Sequence, residues 1–275
     1  MKYWSHSKIQ IPKLGFGTYC LKGEIAISAV QHALKRGFRH IDTATIYENE
    51  EEIGLAIQKS PISRKEIFIT TKLWLDCLEE KGVVKSLQSS LKKLKTNYID
   101  LLLIHWYNPK VDLKETLTTL SQLQKEKKVH HIGVSNFTCD LLKEAKKIAP
   151  QIITNQVEYH PLLSQRKLLT LIESEFSDIF LTAYSPLIRG KINQIQQVVK
   201  IAEKYNKTPS QVALKWLIDQ KNVVVIFKSS NKDHIDKNKD IFDFELEKED
   251  QEKLFRLNKN NQRVINPPFA PEWDN

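Results

Sequence analysis

A parallel (β/α)8 TIM barrel of the α/β class is the fold predicted by this 275-residue sequence, and three observations predict it. Eight short apolar runs alternate with helical patterns along the chain. The runs are almost continuously apolar, as strands covered on both faces are. Several end on residues that titrate, which suits the carboxyl ends of barrel strands, where chemistry gathers.

The strand runs are LGFGT (14–18), HIDTA (40–44), IFITTKL (67–73), IDLLLIHW (99–106), HHIGVSN (130–136), ITNQVEY (153–159), IFLTAYSPL (179–187) and VVVIFKS (223–229). Between them lie helical stretches such as EIAISAVQHALKRG (24–37), GVVKSLQSSLKKL (82–94) and TPSQVALKWLIDQ (208–220). The last has Thr208 as N-cap and Pro209 at the first helical position, a strong start signal. The rival architecture, a doubly wound sheet, usually announces itself by a G-x-G-x-x-G turn. Gly15 and Gly17 supply its first two glycines, but the third is missing. No Gly-rich linker or low-complexity stretch divides the chain, so residues 1–275 read as one domain.

Composition narrows the function. Hydrophobic content of 41% beside 27% charged residues gives a globular chain with ample core. The net charge of +9 invites a nucleic-acid partner. Its lysines, however, spread over helix faces (Lys85, Lys92, Lys93, Lys95; Lys143, Lys146, Lys147), with no basic arm interleaved with aromatics. The reading is no nucleic acid, and a field that favours phosphorylated small molecules. MKYWSHSKIQ has no apolar core of a signal peptide, and LLLI and VVVIF are too short to cross a bilayer. Cys20, Cys77 and Cys139 lack metal-like spacing, which fits a reduced cytoplasmic setting. No metal is expected, and the chain is read as a monomer.

Asp42, Lys72 and His105 close the second, third and fourth runs, and Tyr47 follows the second. Neighbouring parallel strands lie about 4.8 Å apart, so these side chains can converge. Each has an ordinary explanation: a helix cap, a packed ring, a solvated lysine, a core histidine. Together they suit something sharper. A tyrosine titrates near pH 10 when unperturbed, about three units too high to be a strong acid at neutrality. A lysine ammonium beside it lowers that value, and an aspartate keeps the lysine charged and oriented. A histidine can hydrogen-bond a carbonyl oxygen. Such a group protonates an alkoxide as hydride reaches the carbonyl carbon.

At these residues the sequence resembles the aldo-keto reductase family. GFGTY, IDTATIYENE, ITTKLW, LLLIHW, IGVSNF, NQVEYHP, AYSPL and KSS follow in the family's order from residue 15 to 230. The closing PEWD is similar to the small bacterial 2,5-diketogluconate reductases, the B type in particular, which also reduce methylglyoxal. The resemblance implies Tyr47 as proton donor, Lys72 and Asp42 as its pKa-lowering pair, and His105 as the residue orienting the substrate carbonyl. It implies NADPH as cofactor, with NADH weaker. Ser135, Asn136 and Gln156 would hold the carboxamide and Tyr184 would stack on the nicotinamide. Gly17, Thr18 and Tyr19 would lie along the same end, with Asp42 close by. Ser185 and Leu187 would contact the pyrophosphate, with Gly190 in the loop crossing it.

The adenosine end departs from the family. Many relatives read Ile-Pro-Lys-Ser, then Arg, Glu and Asn; here the run is IFKSSNKDHIDKN. Lys228, Ser229, Ser230 and Asn238 stand, His234 takes the Arg position, Lys237 the Glu position, and Phe227 replaces Pro. Lys228, Lys232 and the hydroxyls can still meet a 2′-phosphate, but a neutral His234 lacks the charge and planar fork of arginine.

On the substrate side only Trp106–Val111 separates His105 from the next helix near Asp112, so an open, shallow pocket is expected. Trp74 and Trp106 would wall it, with Tyr19, Phe269 and Trp273 as further candidates. Aromatic walls with few charges suit small aldehydes, dicarbonyls and keto sugars. Two other functions fit the scaffold: a cofactor-sensing, catalytically weak regulatory protein, and a Schiff-base lyase using Lys72. The lyase needs a deprotonated lysine, which a charged Asp42 opposes.

Overall fold

The computed structural model describes residues 2–274. An antiparallel ribbon comes first: β1 (Tyr3–His6) pairs with β2 (Ile9–Pro12), Tyr3 opposite Pro12 and His6 opposite Ile9. Eight parallel strands follow: β3 (Leu14–Gly17), β4 (His40–Asp42), β5 (Phe68–Leu73), β6 (Ile99–Ile104), β7 (Val129–Ser135), β8 (Ile152–Glu158), β9 (Phe180–Tyr184) and β10 (Val223–Phe227). They pair in sequence order, and β10 returns to β3, closing the barrel. All eight predicted runs are barrel strands; the polar, four-residue strands of the ribbon gave no comparable signal.

The helices are α1 (Gly23–Lys35), α2 (Glu50–Gln58), α3 (Glu80–Lys93), α4 (Leu113–Lys125), α5 (Cys139–Ile148), α6 (Arg166–Glu175), α7 (Gln196–Lys204), α8 (Pro209–Ile218), α9 (Lys232–Lys239) and α10 (Lys248–Phe255). Several carry the start signals legible in the sequence. Asp112 Oδ1 accepts from the Lys114 N–H, and Thr208 with Gln211 forms a capping box ahead of Pro209, which satisfies helix-end donors that would otherwise be orphaned.

Alternation along the strands sorts the apolar side chains into two cores. Leu101, Leu103, Ile153, Phe180 and Val224 point into the barrel, and Trp4 and Ile11 of the ribbon close its amino end over them. Trp4 lies 4.6 Å from Phe180, ring centre to ring centre. The other face of the same strands (Leu102, Ile104, Leu181, Val223, Val225) packs against the helices. The amino end is thus plugged, leaving the carboxyl end of the strands for a site.

Candidate active site

Strand register brings the predicted residues together. Asp42 ends β4 opposite Thr70 of β5, and Lys72 lies two residues further along β5 on the same face. Lys72 sits opposite the inward-pointing Leu103. His105 follows β6, two residues beyond Leu103, and its N–H donates to Leu73 O. A period of two therefore aims Asp42, Lys72 and His105 into the barrel mouth. Tyr47 ends a short 3-10 turn, Thr45–Tyr47, that leaves β4.

Lys72 is wholly buried and Asp42 is 3% exposed. The lysine Nζ donates to Asp42 Oδ1 at 2.6 Å and to Thr43 O at 2.7 Å. Gln156 Nε2 donates to the other carboxylate oxygen, Asp42 Oδ2, at 2.8 Å. The same Nζ lies 5.0 Å from the centre of the Tyr47 ring. The His105 ring is 5.7 Å from that ring and 5.1 Å from Trp74.

In the chain by itself, the Tyr47 phenol is held above its ordinary pKa, first by loss of water and then by the negative charge of Asp42, although the side chain keeps part of its surface exposed. Lys72 directs two of its three N–H donors to Asp42 and Thr43 O, which fixes where its charge sits. Burial also pulls the Lys72 pKa down, while the Asp42 charge opposes that shift. His105 is pushed well below the usual histidine range by burial and by the Lys72 charge, so it is neutral near pH 7. Its Nδ1 is buried without a hydrogen-bond partner among the described residues.

The turn bearing Tyr47 is tied to three strands. Asn49, fully buried, donates to Thr18 O and Leu21 O and accepts from Thr43 Oγ1 at 2.8 Å. Thr45 Oγ1 donates to Lys72 O at 3.0 Å. Behind them the Glu50 carboxylate accepts from Thr71 and Ser90 hydroxyls.

Of the residues expected along a cofactor, Ser135, Asn136, Gln156 and Tyr184 form one network. Tyr184 donates to Asn136 Oδ1 at 2.8 Å, and Asn136 Nδ2 donates to His105 O and Ser135 Oγ, both at 3.0 Å. Ser135 Oγ donates to Gln156 O at 2.8 Å. Thr18 Oγ1 donates to Asp42 O, and exposed Tyr19 lies 5.1 Å from the Tyr47 ring. Gly17 lies where an added Cβ would stand 2.9 Å from Ile226 Cγ2.

Backbone strain collects on the same rim: Asn136 (φ 61), Ser185 (φ 51) and Arg189 (φ 52) are left-handed, each at a cost of order 1 kcal/mol or more. Gly190 (φ 91) follows, with open space where a Cβ would point, and Leu187 O accepts its N–H. Further round, Lys228, Ser230, Lys232 and His234 are exposed about the start of α9, while Ser229 and Asn238 are buried. An open cradle at one end and exposed cations at the other fit a long, phosphate-bearing dinucleotide.

The mouth is more covered than the short Trp106–Val111 segment implies. Phe269 of the carboxyl-terminal segment packs edge-on against both Trp74 (5.8 Å) and Trp106 (5.4 Å). Trp106 is only 4% exposed, whereas Phe269 is 42% exposed, so Trp74 and Phe269 form the accessible wall. Glu158, the last residue of β8, anchors this segment. Its carboxylate accepts the Val264 N–H at 2.7 Å, the Ile265 N–H at 2.9 Å and a bond from His160 Nε2. At the far end Asp274 Oδ2 accepts the Cys139 N–H at the start of α5. Glu158, His160, Asn49 and Arg263 were not singled out from sequence. Glu158 carried the same signal as Asp42, a carboxylate closing an apolar run.

A hollow of about 370 Å³ opens at the opposite end, lined by Lys8, Arg39, Lys65, Asp100 and His131, but Asp100 there is committed to Arg64. Among the described residues no group of three or more His, Cys, Asp or Glu is placed to hold a metal, and no helix is long and apolar enough to cross a membrane.

Comparison with known proteins points the same way. A family model described as "Aldo/keto reductase family" matches residues 13–259. The chain is 39% identical to methylglyoxal reductase DkgB of Escherichia coli O157:H7, covering 96% of this chain and 99% of that one. It is 40% identical to glyoxal reductase of Bacillus subtilis (strain 168), covering 95% and 94%. A solved structure provisionally assigned as a 2,5-diketo-D-gluconic acid reductase B superposes with a TM-score of 0.94 at 41% identity, covering 96% and 94%.

Proposed function

We propose, from the premise that this chain belongs to the aldo/keto reductase family, that it reduces small aldehydes, dicarbonyls or keto sugars to alcohols, methylglyoxal and 2,5-diketogluconate being the substrate types, with NADPH as reductant and NADH as a weaker one. The reading takes the chain as one cytoplasmic, monomeric barrel domain. The observation that carries it is the buried Lys72–Asp42 pair beneath the Tyr47 ring, with a neutral His105 alongside.

When bound, a dihydronicotinamide would supply the hydride for the carbonyl carbon. Tyr47 is the general acid: its phenol is protonated at neutral pH and gives its proton to the substrate oxygen as charge develops there. Lys72 stands ready to stabilise the phenolate left behind, and Asp42 and Thr43 O fix where that ammonium points. Neutral His105 donates a hydrogen bond that orients the carbonyl oxygen. Ser135, Asn136 and Gln156 would hold the carboxamide, Tyr184 would lie against the nicotinamide, and Gly17, Thr18 and Tyr19 would flank it. Ser185, Leu187 and Gly190 would run along the pyrophosphate. Lys228, Ser229, Ser230, Lys232, His234 and Asn238 would meet the adenosine 2′-phosphate. Trp74 would wall the carbonyl substrate.

The test is steady NADPH consumption with methylglyoxal, abolished in Tyr47→Phe. Tight NADPH binding with no turnover of any small carbonyl would instead favour the cofactor-sensing alternative.

A further inference from the structure

The hollow at the amino end of the barrel, about 370 Å³ in volume, has the size of a small-ligand site. Neighbouring strands build it at their starts. Arg39 precedes β4, Phe68 opens β5, and His131 is the third residue of β7. Lys8, between β1 and β2, and Lys65, just before β5, complete the rim. The inner core of Leu101, Leu103 and Phe180, with Trp4 over it, lies between this hollow and the mouth, so the two are separate places.

Charge in the hollow is lopsided. Lys8 and Lys65 are exposed and form no ion pair among the described residues, and Arg39 commits only Nη1, to Leu34 O and Phe38 O. Of the two acids, Asp100 is held by Arg64 at 2.7 Å and by the Ile69 N–H at 2.9 Å. Glu66 accepts the Ser63 N–H in a capping box. Three cations therefore face one carboxylate without a cationic partner, a balance that suits a phosphate. Lysines on an open surface are ordinarily just solvated; here they rim a concavity that also has aromatic sides.

Those sides are Phe68 and His131, whose rings are near-parallel, 18° apart in plane, with centres 6.3 Å apart. Burial, and then the His130 charge, hold His131 at a pKa of about 4. It is neutral near pH 7, so it presents a ring face with one donor and one acceptor rather than a charge. Its side chain makes no hydrogen bond among the described residues. Aromatic faces beside cations are the pairing that seats a base and its phosphate.

We propose that this amino-end hollow binds a nucleoside monophosphate, the base against Phe68 and His131 and the phosphate meeting Lys8, Arg39 and Lys65. The assignment is independent of the reductase reading.

The experiment is calorimetric titration of the full chain with AMP in saturating NADP+, which displaces any AMP held about α9. AMP should still bind, at least tenfold tighter than adenosine or inorganic phosphate. Lys8→Glu with Lys65→Glu, both on exposed side chains, should weaken AMP at least tenfold. His131→Ala should weaken AMP and leave inorganic phosphate unchanged. Loss of all AMP binding in NADP+ would assign the nucleotide to the cofactor cleft and overturn the proposal. So would equal affinity for AMP and inorganic phosphate, or an unaltered AMP affinity in either variant. A chain that binds no NADP+ fails the reductase reading alone, and the same variants then decide for or against the hollow.

Discussion

Lys72 Nζ stands 2.6 Å from Asp42 Oδ1, and neither side chain has appreciable contact with water. Removing one partner strands a charge in a dry place, which costs about 3–5 kcal/mol. Asp42→Asn and Lys72→Met should each lose stability on that scale in urea unfolding. The double variant should recover a large part of the summed loss. Simple additivity would mean that the two groups do not compensate one another.

Tyr47→Phe removes a hydroxyl and little else. General acid catalysis contributes about 10²–10⁴-fold, so kcat for methylglyoxal should fall by that range while NADPH binding, followed by fluorescence, holds. A variant retaining a tenth or more of native turnover would remove Tyr47 from the role of proton donor.

Cofactor preference should respond at the start of α9. Lys228→Met should weaken NADPH far more than NADH in equilibrium titrations. His234→Arg should tighten NADPH by about tenfold, in line with roughly 1.5–3 kcal/mol for a hydrogen bond to a charged group, and leave NADH little changed. Equal effects on both cofactors would place the 2′-phosphate elsewhere.

Stability should fall with acid through His40, at the amino-terminal end of the barrel. Burial depresses its pKa to about 4 from 6.5, so the unfolded chain takes up a proton before the folded one does. Its contribution is complete above pH 6.5 and is lost as pH falls toward 4. Between pH 7 and 5 the loss is about 2 kcal/mol from this residue. Urea unfolding at the two pH values should therefore show a smaller drop in His40→Gln. His105 shifts in the same direction, so kcat/KM should show no limb from it near pH 6.5.

Much of this molecule was legible because burial on both faces writes strands as unbroken apolar runs. A titratable residue at the end of such a run is conspicuous, and Asp42, Lys72 and His105 stood out for that reason. Orientation was not legible. Sequence puts a lysine near Tyr47 but cannot tell that two of its N–H groups point to Asp42 and Thr43 O. The segment from Arg263 to Asp274 was equally opaque beyond its aromatics. It has no periodicity, and what seats it is Glu158, which lies more than a hundred residues earlier.

Joining β10 to β3 leaves the parallel strands without a free margin. Backbone groups able to recruit a strand from another molecule are therefore confined, among the described sheets, to the β1–β2 ribbon. That ribbon is four residues long on each side and is flanked by the exposed Lys2 and Lys8. Short, charged margins are poor templates for intermolecular sheet growth. The architecture that opens the mouth to chemistry also makes the folded chain a reluctant seed for fibrils.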